Sequence, residues 1–368
     1  MPLRSALAVV AALLLTCLAT APAQAADLAY FENQLKPYLQ KPKFVAPGPP
    51  FNARACIKGK SIFSMPVSSA NPFTATIEKS MTAIAAKIGF KFTVWQNQGQ
   101  IGQWVQGMNA AMTEKPNLID LMGGQDPRQM VPQVRAALAA GIPVTVTHAS
   151  GLEQTPELNK IGVDAVPFDF FKAGALLVDW AVAHTKGKLD AIVIISTGPL
   201  ATDSMMPGIR SELKHCPNCK IHVINVPVAE WSTRITPNVQ AMLLSHPDIN
   251  YIIPLYDSMS QFVVPAVTIT NSANRVKIAS FNGTPFVLGL VQEGKVQMDI
   301  GENLDWIGHA VIDAEMRIIC HLPQVQNEHI PMYIFDSHNA KDAGVPPQLS
   351  RGYGSAYLEG YAKLWELK

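Results

Sequence analysis

Short apolar runs and amphipathic segments alternate along the chain. Residues 62–65 form an apolar run of strand length, residues 67–72 form a polar turn, and apolar residues then recur at helical spacing from 73 to 87. Pro72 suits the first turn of a helix, and Asn71 can cap the free N–H groups beside it. The pattern therefore predicts a strand, a polar turn and a helix.

The same alternation continues through most of the chain. Parallel pairing and right-handed crossovers follow from strands that are separated by helices, so we expect an α/β fold whose post-strand loops share the sheet edge where ligands bind. Further strands are predicted at 90–95, 118–122, 143–147, 191–196, 221–226, 251–254, 276–281 and 330–335. Helices are predicted at 100–112, 128–140, 168–184, 206–214, 235–245, 285–293 and 307–321.

The first 25 residues are typical of a cleaved signal peptide, which predicts export to the periplasm. Arg4 supplies a positive start, residues 6–19 are apolar but too few to span a membrane, and residues 23–25 form a small-x-small cleavage site. Cys17 leaves a lipoprotein alternative, although the residue before it is not small. Residues 26–57 then form an N-terminal extension, with a short helix and a proline-rich strap that we expect to lie on the first lobe.

Charge and length narrow the class of protein. Removing Arg4 with the signal peptide lowers the formal charge from +1 to 0, which disfavours nucleic acid and anionic membranes as partners. The remaining 368 − 25 = 343 residues are enough for two lobes with separate cores. The sequence contains no G-x-S-x-G, H-E-x-x-H, P-loop or strand-following G-x-G-x-x-G motif, so we expect no enzyme and no cofactor.

Four cysteines remain after cleavage, and export places them where disulfides persist. Cys216 and Cys219 lie close together between a helix and a strand, which predicts a local disulfide. A zinc site that adds His215 and His222 is the alternative. Cys56 and Cys320 can pair, although the sequence does not fix the connectivity.

Several short motifs resemble the type I periplasmic binding proteins, in particular the ribose-binding group of sugar receptors for ABC importers. The resemblance covers about residues 58–337, in the same order and with similar spacing. The motifs are S-x-x-N-P-F at 68–73, A-G-I-P-V at 140–144, S-H-P-D at 245–248, F-N-G-T-P at 281–285 and E-G-K-V at 293–296.

The resemblance implies two Rossmann-like lobes with parallel sheets, joined by a three-strand hinge near Pro167, Glu302 and Pro331. Ligand would close the cleft between the lobes. The implied parts are an N-terminal lobe of 58–166 plus 303–331, a C-terminal lobe of 167–302 plus 332–345, and a C-terminal extension of 346–368. In that extension we expect an aromatic stripe on a helix to serve packing; it comprises Tyr353, Tyr357, Tyr361 and Trp365.

The resemblance also implies ligand-binding residues in both lobes. Asn71 and Phe73 agree with the family's asparagine and stacking phenylalanine, and Trp231 lies where the second lobe of the relatives supplies another ring. Asn282 replaces an aspartate of the sugar receptors, and Glu302 lies where they often carry glutamine.

Three other positions depart further from the sugar receptors. His148 and Ala149 replace an Asp-Arg pair, Asp203 lies in a segment where another arginine is missing, and Tyr256 replaces an asparagine. Two ligand hypotheses follow. The first is a sugar or polyol held by polar side chains. The second is a flatter, partly apolar compound, with a cationic or N–H group facing Glu302.

These features predict a monomeric periplasmic protein that binds a small molecule and delivers it to an ABC permease. The alternative is a periplasmic sensor that docks onto a membrane sensor kinase or chemoreceptor. Catalysis by a convergence of His148, Asp203 and Glu302 is a third, less favoured hypothesis, since clefts that bind polar solutes collect the same groups.

Overall fold

A computed structural model describes residues 26–367. The predicted signal peptide and Cys17 lie outside the described residues. The described part contains two sheets, each flanked by helices. No helix in residues 26–367 combines the length and the apolar character needed to cross a bilayer.

The first sheet contains five parallel strands in the order β2-β1-β3-β4-β5. Asn71 caps the helix after β1 by accepting from the Phe73 backbone N–H at 3.0 Å, and Gly89 ends it with a φ of 101°. The strands are β1 (Ser61–Pro66), β2 (Lys91–Val94), β3 (Leu118–Met122), β4 (Val144–Thr147) and β5 (Asp164–Val166). The helices up to β5 are α1 (Leu28–Leu35), α2 (Ala53–Ile57), α3 (Pro72–Ile88), α4 (Ile101–Glu114), α5 (Val131–Ala139) and α6 (Thr155–Lys160).

The second sheet contains six strands in the order β11-β10-β9-β8-β6-β7, and β11 is the antiparallel exception to the predicted parallel pairing. Its strands are β6 (Asp190–Ile195), β7 (Lys220–Asn225), β8 (Tyr251–Pro254), β9 (Lys277–Asn282), β10 (Met298–Glu302) and β11 (Met332–Asp336). The remaining helices are α7 (Phe170–His184), α8 (Leu200–Leu213), α9 (Trp231–Ser245), α10 (Asp257–Ile269), α11 (Pro285–Gln292), α12 (Leu304–Ile319) and α13 (Ala356–Leu364).

The chain passes between the two sheets three times. β5 ends the first sheet, and α7 packs on the second sheet, beginning at Phe170. After β10 the chain returns, because α12 packs against α3 of the first half. The segment after α12 leads back to β11 in the second sheet. This topology places residues 167–169, Asn303 and residues 320–331 between the two halves.

The N-terminal extension lies on both halves, whereas the sequence led us to expect it on the first lobe. Tyr30 in α1 donates a hydrogen bond to Glu212 of α8 at 2.9 Å, and α1 packs against α7. Further along, the Phe51 N–H donates to the Leu364 carbonyl at 2.9 Å. The apolar face of α1 packs on the second half, and Phe31 on that face is fully buried.

The predicted disulfide between Cys216 and Cys219 is present, and Cys56 and Cys320, whose pairing the sequence left open, also form a disulfide. Cys56 in α2 is bonded to Cys320 at the end of α12, across a sequence separation of 264 residues. Cys216 is bonded to Cys219, which contradicts the zinc alternative because a disulfide sulfur is not a thiolate ligand. Within residues 26–367, no cluster of three or more histidine, cysteine, aspartate or glutamate side chains is arranged to hold a metal ion.

The aromatic residues of the C-terminal extension are buried, as the packing interpretation predicted. Tyr357 stacks on Trp306 of α12 with ring centroids 4.9 Å apart. The Trp365 indole donates to Asp313 of α12 at 2.6 Å. Tyr353 precedes α13, however, and its hydroxyl donates to the Glu302 carbonyl at 3.0 Å in the second half.

Candidate ligand-binding site

A cavity lies between the two halves, at the carboxyl ends of the strands of both sheets. The first half lines it with residues from the loops after β1, β3 and β4 and from the start of α3: Val67, Asn71, Phe73, Gly123 and His148. The second half contributes Phe170, Pro199, Ala201, Val228, Trp231, Tyr256 and Asn282. This is the edge at which open α/β sheets bind ligands.

Aromatic side chains from both halves form much of the cavity wall. Trp231 and Tyr256 are stacked with ring centroids 6.1 Å apart, and the Trp231 indole donates to the Val226 carbonyl at 3.0 Å. On the other side, the Phe73 and His148 rings lie 5.6 Å apart. The indole hydrogen bond orients the Trp231 ring and leaves its face as the surface for a ligand.

His148 is buried in the cavity wall in an unusual backbone conformation. Its φ is +46°, a left-handed value that non-glycine residues rarely adopt. The Nε2 atom lies 3.1 Å from Glu302 Oε1, and both side chains are almost fully buried. The Nδ1 atom has no hydrogen-bond partner among residues 26–367. An unpartnered polar atom in a buried wall is a position where a ligand can bind.

Asn282 connects the cavity wall to a layer of buried acids. Its amide nitrogen donates to Glu302 at 3.2 Å, and its side-chain oxygen accepts from the Asp257 backbone N–H at 3.2 Å. Its φ of 140° is strained for a residue other than glycine. Gly283 follows because a Cβ atom there would clash with the Tyr353 hydroxyl and the backbone of Gly301. The strain therefore lies beside the cavity, where functional sites often store it.

The buried acids behind Asn282 are Asp257 and Asp299. Asp257 accepts hydrogen bonds from Ser280 Oγ at 2.7 Å and from Thr284 Oγ1 at 2.6 Å. Burial raises the pKa of Asp257, and these hydrogen bonds offset part of the shift. Burial, followed by the nearby Asp257 charge, raises the pKa of Asp299 further. Burial therefore shifts the pKa of both carboxyl groups toward the protonated form.

Hydrogen bonds join the two halves next to the cavity. Ser258 Oγ at the start of α10 donates a short hydrogen bond to Asn71 Oδ1 at the start of α3. The Leu200 N–H donates to the Gly124 carbonyl at 3.3 Å, and Gln154 Nε2 donates to the Leu200 carbonyl at 3.1 Å. The two halves are thus in direct contact beside the residues that line the cavity.

Six of the eight residues predicted for the site line this cavity: Asn71, Phe73, His148, Trp231, Tyr256 and Asn282. Glu302 is fully buried behind the wall and hydrogen-bonds to His148 and Asn282 instead of facing the cavity.

The structure does not bring Asp203 into this group. Asp203 is exposed on α8. That helix begins at Leu200, earlier than the predicted start at residue 206, so Ala201 lines the cavity. Two residues along a helix correspond to a rotation of roughly 200°, which points Asp203 away.

Several site residues of the second half were not predicted from the sequence. Phe170 lines the cavity, although the pattern marked it only as the start of a helix. Ser258 bridges the halves from α10, an element that the sequence analysis did not assign. Asp169 caps α7, since its side chain accepts from the Lys172 N–H at 2.9 Å. An aspartate at this position is a local sequence signal that the helix begins at Phe170, beside the loops that form the cavity.

Two largely parallel sheets with a cavity at their carboxyl edges define the class as a two-sheet α/β binding protein. Residues 62–321 of the 368-residue chain match the family of periplasmic binding protein domains, and the chain belongs to that family. The family consists of binding proteins, in agreement with the expectation that the chain is not an enzyme.

One curated relative is a D-ribose/D-allose-binding protein of Pseudomonas aeruginosa. It is 27% identical to this chain over 174 residues, which make up 46% of this chain and 53% of that protein. The matched part therefore spans only about half the length of the relative.

Solved structures show the same fold over most of the chain. An ABC transporter solute-binding protein from Agrobacterium vitis, bound to α-D-tagatopyranose, aligns with a TM-score of 0.68 and 18% identity over 78% of this chain and 97% of that chain. A carbohydrate transporter from Acidothermus cellulolyticus in complex with myo-inositol aligns with a TM-score of 0.66 and 20% identity, over 78% of this chain and 97% of that chain. These likenesses confirm the predicted two-sheet fold.

Proposed function

We propose that this protein is a periplasmic solute-binding protein that delivers a small organic solute, a sugar, a polyol or a related compound, to an ABC importer. The observation that carries the proposal is the cavity enclosed by residues from both halves. The D-ribose/D-allose-binding relative and the tagatopyranose and myo-inositol complexes support a ligand of this class. The predicted signal peptide supports a periplasmic location.

The proposed mechanism is closure of two lobes over the ligand. The lobes are residues 58–166 with 303–331, and residues 167–302 with 332–345. A ligand that contacts both lobes stabilises the closed state by its differential affinity for that state. In an open state the hydrogen bond between Ser258 and Asn71 breaks, as does that between Leu200 and Gly124. The importer then distinguishes loaded from empty protein by the closed surface.

A thermal-shift screen of sugars and polyols tests binding at this site. Ligand at 100 times its Kd stabilises the folded state by about 2.7 kcal/mol. We expect Trp231→Ala and Asn282→Ala to abolish the shift, since both side chains line the cavity. Asp203→Ala is the matched control because Asp203 is exposed outside the cavity. A shift that survives in both cavity variants would place the ligand elsewhere.

Uptake of the ligand found in that screen tests delivery. A strain that lacks the protein is expected to lose uptake, and the wild-type gene but not the Trp231→Ala gene restores it. Intact uptake together with a lost transcriptional or chemotactic response would instead support the sensor alternative. We also propose that the protein acts as a monomer, so light scattering should give the mass of one mature chain with and without ligand.

A further inference from the structure

The cavity offers a ligand few polar atoms that are not already committed. The Trp231 N–H is bonded to the Val226 carbonyl, and the Tyr256 hydroxyl lies 2.8 Å from Thr202 Oγ1. Asn282 uses its oxygen for the Asp257 N–H and its amide nitrogen for Glu302. His148 Nδ1, by contrast, has no partner within the described chain, although the side chain is almost fully buried.

Asn71 is the second polar group with free capacity. Its side-chain oxygen accepts from the Phe73 N–H and from Ser258 Oγ. Its amide nitrogen makes neither of these bonds, so it remains a donor in the first-half wall. The site therefore presents one buried acceptor or donor at His148 and one donor at Asn71.

The rest of the wall is apolar. It consists of aromatic and aliphatic surface from Val67, Phe73, Phe170, Pro199, Ala201 and Val228. No lysine or arginine is among the residues that line the cavity in the described chain. Three buried carboxyl groups lie behind it, on Asp257, Asp299 and Glu302. Each ligand hydroxyl turned toward the apolar wall loses its water without gaining a partner, and a ligand carboxylate finds no cationic side chain.

Glu302 determines how His148 meets the ligand. Its carboxylate lies within hydrogen-bond distance of Nε2, at 3.1 Å for Oε1 and 3.3 Å for Oε2. A carboxylate can only accept, so the neutral imidazole carries its proton on Nε2 and presents Nδ1 as an acceptor. Glu302 is thus a positioning residue, and a ligand that donates a hydrogen bond to Nδ1 satisfies the buried atom.

We propose, on the basis of the proposed function, that the ligand is a neutral cyclic compound with hydroxyl groups on one edge and an apolar ring face. A cyclic diol or a deoxygenated polyol is of this class. One hydroxyl donates to His148 Nδ1 and another accepts from the Asn71 amide. The apolar remainder of the ring lies against the Phe73, Phe170 and Trp231 rings.

Calorimetry of the mature protein with two matched probes tests this class. cis-Cyclohexane-1,2-diol and myo-inositol share a six-membered carbon ring but differ in the number of hydroxyls. We expect the diol to bind at least about tenfold more tightly, since each hydroxyl without a partner costs about that factor. His148→Asn is expected to lower the affinity for the diol by about tenfold, because the shorter side chain cannot place an acceptor at the same point. Asp203→Ala should leave it unchanged.

A second probe pair tests the role of Glu302. Cyclohexanone has the same ring and a hydrogen-bond acceptor but no donor. Wild-type protein is expected to prefer the diol, whereas in Glu302→Gln the glutamine amide can donate to Nε2 and convert Nδ1 into a donor. The diol-to-ketone affinity ratio should fall by at least about fivefold, in the range of one neutral hydrogen bond. A purely structural role would weaken both probes equally and leave the ratio unchanged.

The outcomes separate this inference from the proposed function. Binding of myo-inositol, D-ribose or D-allose as tightly as the diol overturns the inference and supports the proposed function. Failure of the diol to bind at millimolar concentration also overturns the inference. The proposed function fails in addition only when the whole sugar and polyol screen leaves the unfolding temperature unchanged.

Discussion

Two buried aromatic clusters in this protein each contain a histidine, and they differ in what the histidine does. In the C-terminal cluster, His309 stacks on Trp365 with ring centroids 5.4 Å apart, and its Nδ1 is bonded to the Asp305 carbonyl at 2.8 Å. In the cavity, His148 has a left-handed backbone and an unpartnered Nδ1. Buried rings alone therefore do not mark a binding site; the left-handed backbone of His148 and its position in the cavity at the carboxyl edges of the sheets set the cavity cluster apart.

The largest expected effect comes from the C-terminal cluster. Trp365→Ala removes a buried ring and leaves Asp313 without the indole donor, so the free energy of unfolding should fall by about 4 kcal/mol. Urea unfolding measures this change. Ligand affinity of the folded variant should match wild type, since this cluster lies outside the cavity lining. A variant of normal stability that has lost ligand binding would reverse the roles of the two clusters.

Phe73→Leu should show the opposite pattern. Leucine keeps most of the buried apolar volume, so the stability should fall by only about 1 kcal/mol. The flat ring face in the cavity is lost, and we expect the affinity for the ligand to fall about tenfold. Calorimetry and urea unfolding of the same preparation compare the two effects. Unchanged affinity would show that Phe73 serves only as core.

Ser258→Ala tests the contact that joins the two halves. The variant loses the hydrogen bond to Asn71 that exists only while the halves are in contact. A hydrogen bond of this kind contributes about 1 kcal/mol to the closed state, so ligand affinity should fall about fivefold. Thr268→Ala, at an exposed position near the end of the same helix, is a control that leaves this bond intact. Equal ligand affinities for wild type and Ser258→Ala would show that this hydrogen bond does not stabilise the closed state.

The smallest expected effect is the pH dependence from His309. Burial lowers the pKa of His309, which outweighs the opposing influence of Asp305. The folded state then binds fewer protons than the unfolded state, so this contribution to stability is present above about pH 6.5 and is lost as the pH falls through the lowered value. We expect the unfolding temperature of His309→Gln to change less between pH 8 and pH 5 than that of wild type. A steeper profile in the variant would contradict this sign.

The alternation of strands and helices could be predicted from the sequence, but three helix starts in the second half could not. α8, α9 and α10 each contain an interior proline, at Pro207, Pro237 and Pro265. Proline normally breaks a helix or lies in its first turn, so the predicted α8 and α9 began too late and α10 was not assigned. Because α8 was predicted to begin at residue 206, Asp203 was expected in a loop beside the ligand and not on the exposed side of a helix.

The cavity residues were predicted to different extents for a physical reason. Asn71 and Phe73 follow a strand directly and carry a local capping signal, so their position could be inferred from neighbouring residues. The pairing of His148 with Glu302 joins residues that are 154 positions apart. Such a contact depends on how the two halves meet, and no local pattern encodes it.

Closure over a ligand is the central claim, and the distance between the two halves tests it most directly. Spin labels at Lys160 and Arg210, exposed positions in the first and second halves, report this distance by double electron–electron resonance. The account predicts a broad or longer distribution without ligand and a shorter, narrower one when a ligand identified by calorimetry is saturating. An identical distribution with and without bound ligand would contradict it.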